Sequence, residues 1–196
     1  MTALLLAVAL AAAEPPKAYV IYAPESEVRI HVGKAGLLRF AGHEHEVAAT
    51  SLSGRVLVDA SDVTRSSVSV RFDAKDLRVL AEGESEGDVP KIEERMLSLL
   101  EVVRFPRVTF ESSSVTGRPS GDGWDLSVTG TFSLHGVERT LQLPLRATLA
   151  GDALVARGVA TLRHGDYGLV PVTVAGVVKV KEEIVVKYKI VAHPEP

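Results

Sequence analysis

Residues 40–49 read FAGHEHEVAA, two histidines and two glutamates alternating inside an otherwise small and apolar stretch. In a β-strand the side chains at i and i+2 share a face, so His43 and His45 point one way and Glu44 and Glu46 the other. Two such imidazoles could be metal ligands, a polar patch at the end of a pocket, or solvated surface. For a metal, His31 or a nearby carboxylate would join His43 and His45. Imidazoles two apart on a strand sit about 6.5–7 Å apart at the backbone, close enough to converge on one ion. Nothing in the spacing supplies a closed four-ligand set, so the metal stays the weaker alternative and no cofactor is expected.

Catalytic arrangements fare poorly. The six histidines and the many serines include no Gly-x-Ser-x-Gly elbow. His135-Gly136 and His164-Gly165 read as turns. Glu82, Glu84, Glu86 and Asp88 form an acidic run that favours the start of a following helix, and no fixed carboxylate separation marks a glycosidase pair. The expectation is a protein that is not an enzyme.

The formal net charge of −3 with no run of Lys or Arg leaves no footprint for nucleic acid. The apolar run from Ala3 to Ala13 is too short to span a bilayer, so no stable membrane insertion is expected, but it suits the core of a signal peptide. Ala11-Ala12-Ala13 offers a small-x-small cleavage site. Residues 1–13 are therefore read as a signal peptide and 14–196 as one domain, placed in a periplasmic or secreted setting. The absence of cysteine removes a disulfide framework, a thiol nucleophile and a thiolate metal site.

The elements that must position these residues are mostly strands. Val68, Val70 and Phe72 share one face of SSVSVRFDA. Trp124, Leu126, Val128, Phe132 and Leu134 share one face of WDLSVTGTFSL. Leu141, Leu143 and Leu145, then Ile184, Val186, Tyr188 and Ile190, repeat the pattern. Turn residues at Gly33 to Gly36, Asp59 to Asp62, Gly117 to Gly123, Gly136 and Ala150 to Asp152 separate them. Half-buried strands joined by short turns predict an all-β, antiparallel, up-and-down sandwich or β-barrel of about eight to ten strands. One segment is helical. Ile92, Met96, Leu99, Leu100 and Val103 recur at helical spacing, Asp88 is placed to cap, and Phe105-Pro106 to stop, predicting an amphipathic helix at about 89–103 that covers one end of the core.

Three stretches carry a family resemblance. Phe105-Pro106-Arg107-Val108-Thr109-Phe110 resembles a helix-exit pattern. The stretch from Gly130 through Phe132 and Leu134 to Gly136, Val137 and Arg139 resembles a strand-turn-strand pattern. Asp166-Tyr167-Gly168-Leu169, followed by Pro171 and by Val178-Lys179-Val180-Lys181-Glu182, resembles a C-terminal turn and hairpin. Together these are similar to the YceI-like family of lipocalin-like proteins, over roughly Tyr19 to Ala192. The resemblance implies a barrel whose apolar cavity holds an isoprenoid-type lipid: a quinone, a polyprenol or a polyprenyl phosphate. Two positions depart from the pattern. Tyr167 stands where Phe is more usual. His164 stands where an Arg is commoner, with Arg163 one residue earlier and so on the opposite face of a strand.

The residues agree with such a carrier. Small side chains at Ala41, Gly42, Ala48, Gly130, Ala147, Gly158 and Ala160, assigned to inward faces, leave volume unfilled, and a dry apolar cavity suits an apolar ligand. The apolar wall is assigned to Val68, Val70, Phe72, Phe110, Leu126, Phe132, Leu141, Leu143, Val186 and Tyr188. Polar contacts to the lipid's head group, a quinone carbonyl or a phosphate oxygen, are assigned to His43, His45 and Tyr167. A homodimer is a further expectation.

Overall fold

The computed structural model describes residues 15–35, 44–82, 87–170 and 179–196. The proposed signal peptide, His43, Ala41 and Gly42 lie outside the described residues. The strands are β1 (Lys17–Ile21), β2 (Glu27–Ala35), β3 (His45–Ala49), β4 (Ser53–Val58), β5 (Ser67–Asp73), β6 (Leu77–Val79), β7 (Arg107–Ser120), β8 (Gly123–Leu134), β9 (Val137–Ala150), β10 (Ala153–Arg163) and β11 (Lys179–Pro194), with one helix, α1 (Val89–Leu99), between β6 and β7.

Every pairing is antiparallel. The eleven strands occupy eight positions, because three of the positions are each broken in two. β11 pairs with both β1 and β2, β4 with β1, β3 with β2, β5 with β4, and β6 with β3. Strands β7 to β11 then follow in chain order, and the β1–β11 pairing closes the sheet into an up-and-down barrel.

The three breaks have local causes. Between β1 and β2 a 3-10 turn at Ala23–Glu25 contains Pro24, which cannot donate to a ladder. Ser26 mends this gap: its hydroxyl accepts from the Val191 N–H at 3.0 Å and donates to the Tyr22 carbonyl at 2.9 Å. The break between β5 and β6 is a 3-10 turn at Ala74–Asp76, where the Ala74 N–H donates to the Pro106 carbonyl and the Thr50 hydroxyl to that of Asp76. Thr50 itself lies in the break between β3 and β4. Side-chain hydroxyls thus replace the ladder bonds that the kinks remove.

α1 starts where expected but ends earlier, at Leu99 rather than near residue 103. Glu101 adopts φ +44°, and its carbonyl accepts from both Arg104 and Phe105 N–H groups, so the chain turns before Pro106 can act. Val103, counted on the apolar face from spacing, is 97% exposed. Asp88 makes no capping bond with its side chain; its Oδ1 lies 3.3 Å from Lys91 Nζ. The helix packs on β6 in place of a neighbouring strand, and Glu93 Oε2 accepts the edge N–H of Val79 at 3.0 Å. No helix among the described residues is long and apolar enough to cross a membrane.

Candidate functional site

The inner faces of the strands enclose a cavity of about 980 Å³. Each of the ten residues assigned to the apolar wall, from Val68 to Tyr188, lines it, together with Trp124, Val128, Leu145 and Ile190 from the same faces. Period-two alternation explains this placement: with the register set by tight turns, every second residue of β5, β7, β8, β9 and β11 must face inward. The β8–β9 turn is one such device, with His135 and Gly136 at φ +52° and +73°.

Apart from the Tyr188 hydroxyl, which is bonded to the Pro144 carbonyl, polar lining is confined to the two ends. Ser66 and Ser67 stand at the end where β4 runs into β5. His45, His164 and the α1 side chains Arg95 and Ser98, with Glu101 just beyond the helix, stand at the other. The register places His45 opposite Val32, Val32 opposite Ile184 and Ile184 opposite Leu162, so His45 belongs to the last inward row before this end.

The same register separates His31 from His45, two of the three histidines a shared metal site would need together. His31 pairs with Glu46 on the outer face of the β2–β3 ribbon, Nδ1 to Oε1 at 2.7 Å, whereas His45 faces the cavity. They cannot share an ion. Among the described residues no group of three His, Cys, Asp or Glu side chains converges as a metal site would require.

Tyr167, assigned to the head group, does not line the cavity. It lies in the 3-10 turn His164–Tyr167, is 3% exposed, and sets its ring edge-on to Phe132 at 5.6 Å between centroids. Burial, with Asp166 beside it, pushes its phenol above the ordinary range. Ala48 also differs from expectation: it pairs with Arg29 on the outer face. Ala147 and Ala160 do face inward. Gly130 and Gly158 are glycines because neighbours occupy their Cβ positions; at Gly158 an added Cβ would lie 2.3 Å from the Tyr188 hydroxyl and 2.4 Å from the Pro144 carbonyl oxygen.

Tyr188 crosses Gly158 from β11 and donates its hydroxyl to Pro144 O at 2.9 Å. Burial in the apolar wall pushes its pKa up to about 12. Because the folded value lies above the unfolded one, about 10, this contribution to stability is complete below about pH 10 and fades as pH rises through 12. An absorbance titration of the folded protein should show one tyrosine ionising near pH 12, and Tyr188→Phe should remove that step.

Sequence spacing did not single out His164 or Arg95 as lining residues, and the wall assignment omitted Trp124 although spacing set it on the face of Leu126 and Phe132. His164 was legible in part, since Ala160, Leu162 and His164 continue the period of β10. Its Nδ1 lies 2.8 Å from the Leu169 carbonyl oxygen, and its Nε2 faces Glu182 at 3.7 Å. Arg95 carried no such signal, because its position depends on how α1 sits against the barrel.

The sequence profile of the YceI-like domain family matches residues 19–192. No curated protein matches the chain. The fold is similar to that of Burkholderia cenocepacia BcnA, with a TM-score of 0.69 and 17% identity over 87% of this chain and 98% of that one. A polyisoprenoid binding domain from Saccharophagus degradans, implicated in plant cell wall breakdown, gives 0.64 and 15% over 91% and 99%. A Campylobacter jejuni YCEI protein gives 0.55 and 10% over 76% and 84%. At these identities the structural likeness establishes the fold.

Proposed function

This chain belongs to the YceI-like family, and from that premise we propose that it is an exported, non-catalytic carrier of an isoprenoid-type lipid, a quinone, a polyprenol or a polyprenyl phosphate. The observation that carries the reading is the cavity: about 980 Å³, walled by aliphatic and aromatic side chains from all sides of the barrel, with the polar side chains of its lining, the bonded Tyr188 hydroxyl aside, at its ends. That volume lies at the upper limit for sites that hold drug-sized ligands, which suits a long apolar chain with one polar end. Burying roughly 700 Å² of isoprenoid surface at about 25 cal/mol per Å² would contribute on the order of 17 kcal/mol before ordering costs. The loss of chain freedom takes back much of this and leaves micromolar to nanomolar affinity within reach. The name of the Saccharophagus domain supports the ligand class, and the apolar run Ala3 to Ala13 supports export to a periplasmic or extracellular space.

His45, in the last inward row, is the head-group contact this reading favours. Mass spectrometry of an organic extract from natively purified protein tests the proposal. A stoichiometric quinone or prenyl lipid is expected; an empty extract from protein that also takes up no added isoprenoid overturns it.

A further inference from the structure

Besides the β6 edge that α1 covers, the described barrel wall has a seam without a hydrogen-bond ladder along part of its length, between β9 and β10. β9 pairs with β8 as far as Val137, and β10 pairs with β11 as far as Arg163. Between β9 and β10 the pairing stops at Leu145 opposite Gly158. Continued in register, it would set Pro144 against Val159, Gln142 against Thr161 and Thr140 against Arg163, and none of these pairs forms. The ladder ends at a proline, which has no N–H to offer. The Tyr188 hydroxyl takes up the Pro144 carbonyl at this end of the seam. At the other end Tyr167 rests on Phe132, and the His135 ring Nδ1 lies 3.0 Å from the Tyr167 carbonyl oxygen. Between the two tyrosines the inner side of the seam is Leu141, Leu143, Ala160 and Leu162, all of which line the cavity.

The outer face beside this seam is positive. On β10 and β11, Arg157 pairs with Lys189 and Val159 with Lys187, while Arg29 of β2 lies on the far side of Lys187. Val159, in the middle, is 49% exposed. Among the described residues Arg157, Lys187 and Lys189 have no ion-pair partner. Glu27 and Glu183 are the acidic neighbours in register, opposite Lys189 and Arg163; Arg29 is taken up by Glu27 and Glu82, so the uncompensated charge is that of Arg157, Lys187 and Lys189. A chain of net charge −3 thus gathers positive charge around an exposed valine beside an unzipped seam.

We propose that the outer face of β10 and β11 docks on an anionic lipid bilayer, and that the β9–β10 seam is the lateral slot through which an isoprenoid chain passes between bilayer and cavity. This rests on the isoprenoid reading above. Basic side chains near an anionic membrane contribute about 1 kcal/mol each. Parting β9 from β10 beyond Gly158 breaks no main-chain ladder, whereas parting β8 from β9 or β10 from β11 at the same level forfeits paired N–H and C=O groups. A chain that slides sideways from bilayer to cavity also avoids exposing its apolar surface to water.

The test uses the full chain and geranylgeraniol as probe, dissolved in vesicles of equal parts phosphatidylcholine and phosphatidylglycerol or of phosphatidylcholine alone. Ligand-free protein should sediment with the anionic vesicles and not the neutral ones. Arg157→Glu/Lys187→Glu/Lys189→Glu should weaken that binding by roughly fivefold per residue. Equal sedimentation of this variant and the wild type overturns the docking surface, and this readout needs no bound lipid. For the seam, Gln142→Cys/Thr161→Cys places thiols on exposed positions of the two strands that border it, in a chain that has no other cysteine. Bridged by a disulfide or a short bismaleimide, it should load geranylgeraniol from anionic vesicles at least tenfold more slowly than the unbridged protein. Equal loading rates overturn the slot. Wild-type protein that loads from neither vesicles nor detergent overturns the carrier reading and the slot with it, while sedimentation still judges the docking surface.

Discussion

Replacing Phe132 with arginine is expected to abolish isoprenoid uptake. Phe132 faces inward near the C-terminal end of β8, opposite Arg139 of β9 in register and Phe110 of β7 on the other side. Phe110 and Phe132 both line the cavity, and Tyr167 packs edge-on to Phe132 from behind. A guanidinium here would sit in an apolar wall, where an unpaired charge costs several kcal/mol, and it would carry water into the volume an apolar chain needs. Phe132→Leu keeps the wall apolar and should retain most uptake. The measurement is recovery of added polyprenol with the protein after gel filtration, with circular dichroism to confirm folding. A folded Phe132→Arg protein that loads as well as wild type would remove this wall from the ligand site.

The second large effect is on stability. Tyr167 belongs to a core cluster with Val108, Leu134 and Leu169, at the point where the β10 strand turns back over the β8–β9 end of the barrel. Tyr167→Ala deletes a buried ring and should cost about 3–5 kcal/mol. At 2–4 °C per kcal/mol for a domain of this size, the melting temperature should fall by about 10 °C. Tyr167→Phe separates packing from polar contact. The ring stays, so melting should change little and lipid uptake not at all. Uptake lost in Tyr167→Phe, with melting unchanged, would return the hydroxyl to the head-group role that the sequence suggested and the structure does not support.

How much of this was legible without coordinates depends on the range of the forces involved. Strand faces are local: once residues such as Val68, Val70 and Phe72 alternate, the pleat puts them on one side, and all ten wall residues on such faces line one cavity. The helix was visible from spacing, but its end was not. A left-handed residue at Glu101 stops α1 ahead of the Phe105-Pro106 signal, and its His135 contact, Oε1 to Nε2 at 3.3 Å, comes from a residue far along the chain.

Pairings between distant segments were out of reach. His31 and His45 look equivalent in a list of histidines, and only the β2–β3 register turns one outward and the other inward. Tyr167 looks like a polar ring in a loop, yet that turn is folded onto Phe132 by contacts between β8 and the end of β10. The gap between β9 and β10 likewise follows from which strands meet there, although Pro144 marks the place. The amino-acid sequence alone therefore determined antiparallel strands, their apolar faces, one covering helix and a chain lacking cysteine chemistry, because alternation, turns and composition are local properties, while the barrel was implied by the family resemblance. The tertiary structure decided which polar groups reach the cavity, where the barrel is closed by hydrogen bonds and where only side chains close it, because those depend on register between strands far apart in the chain.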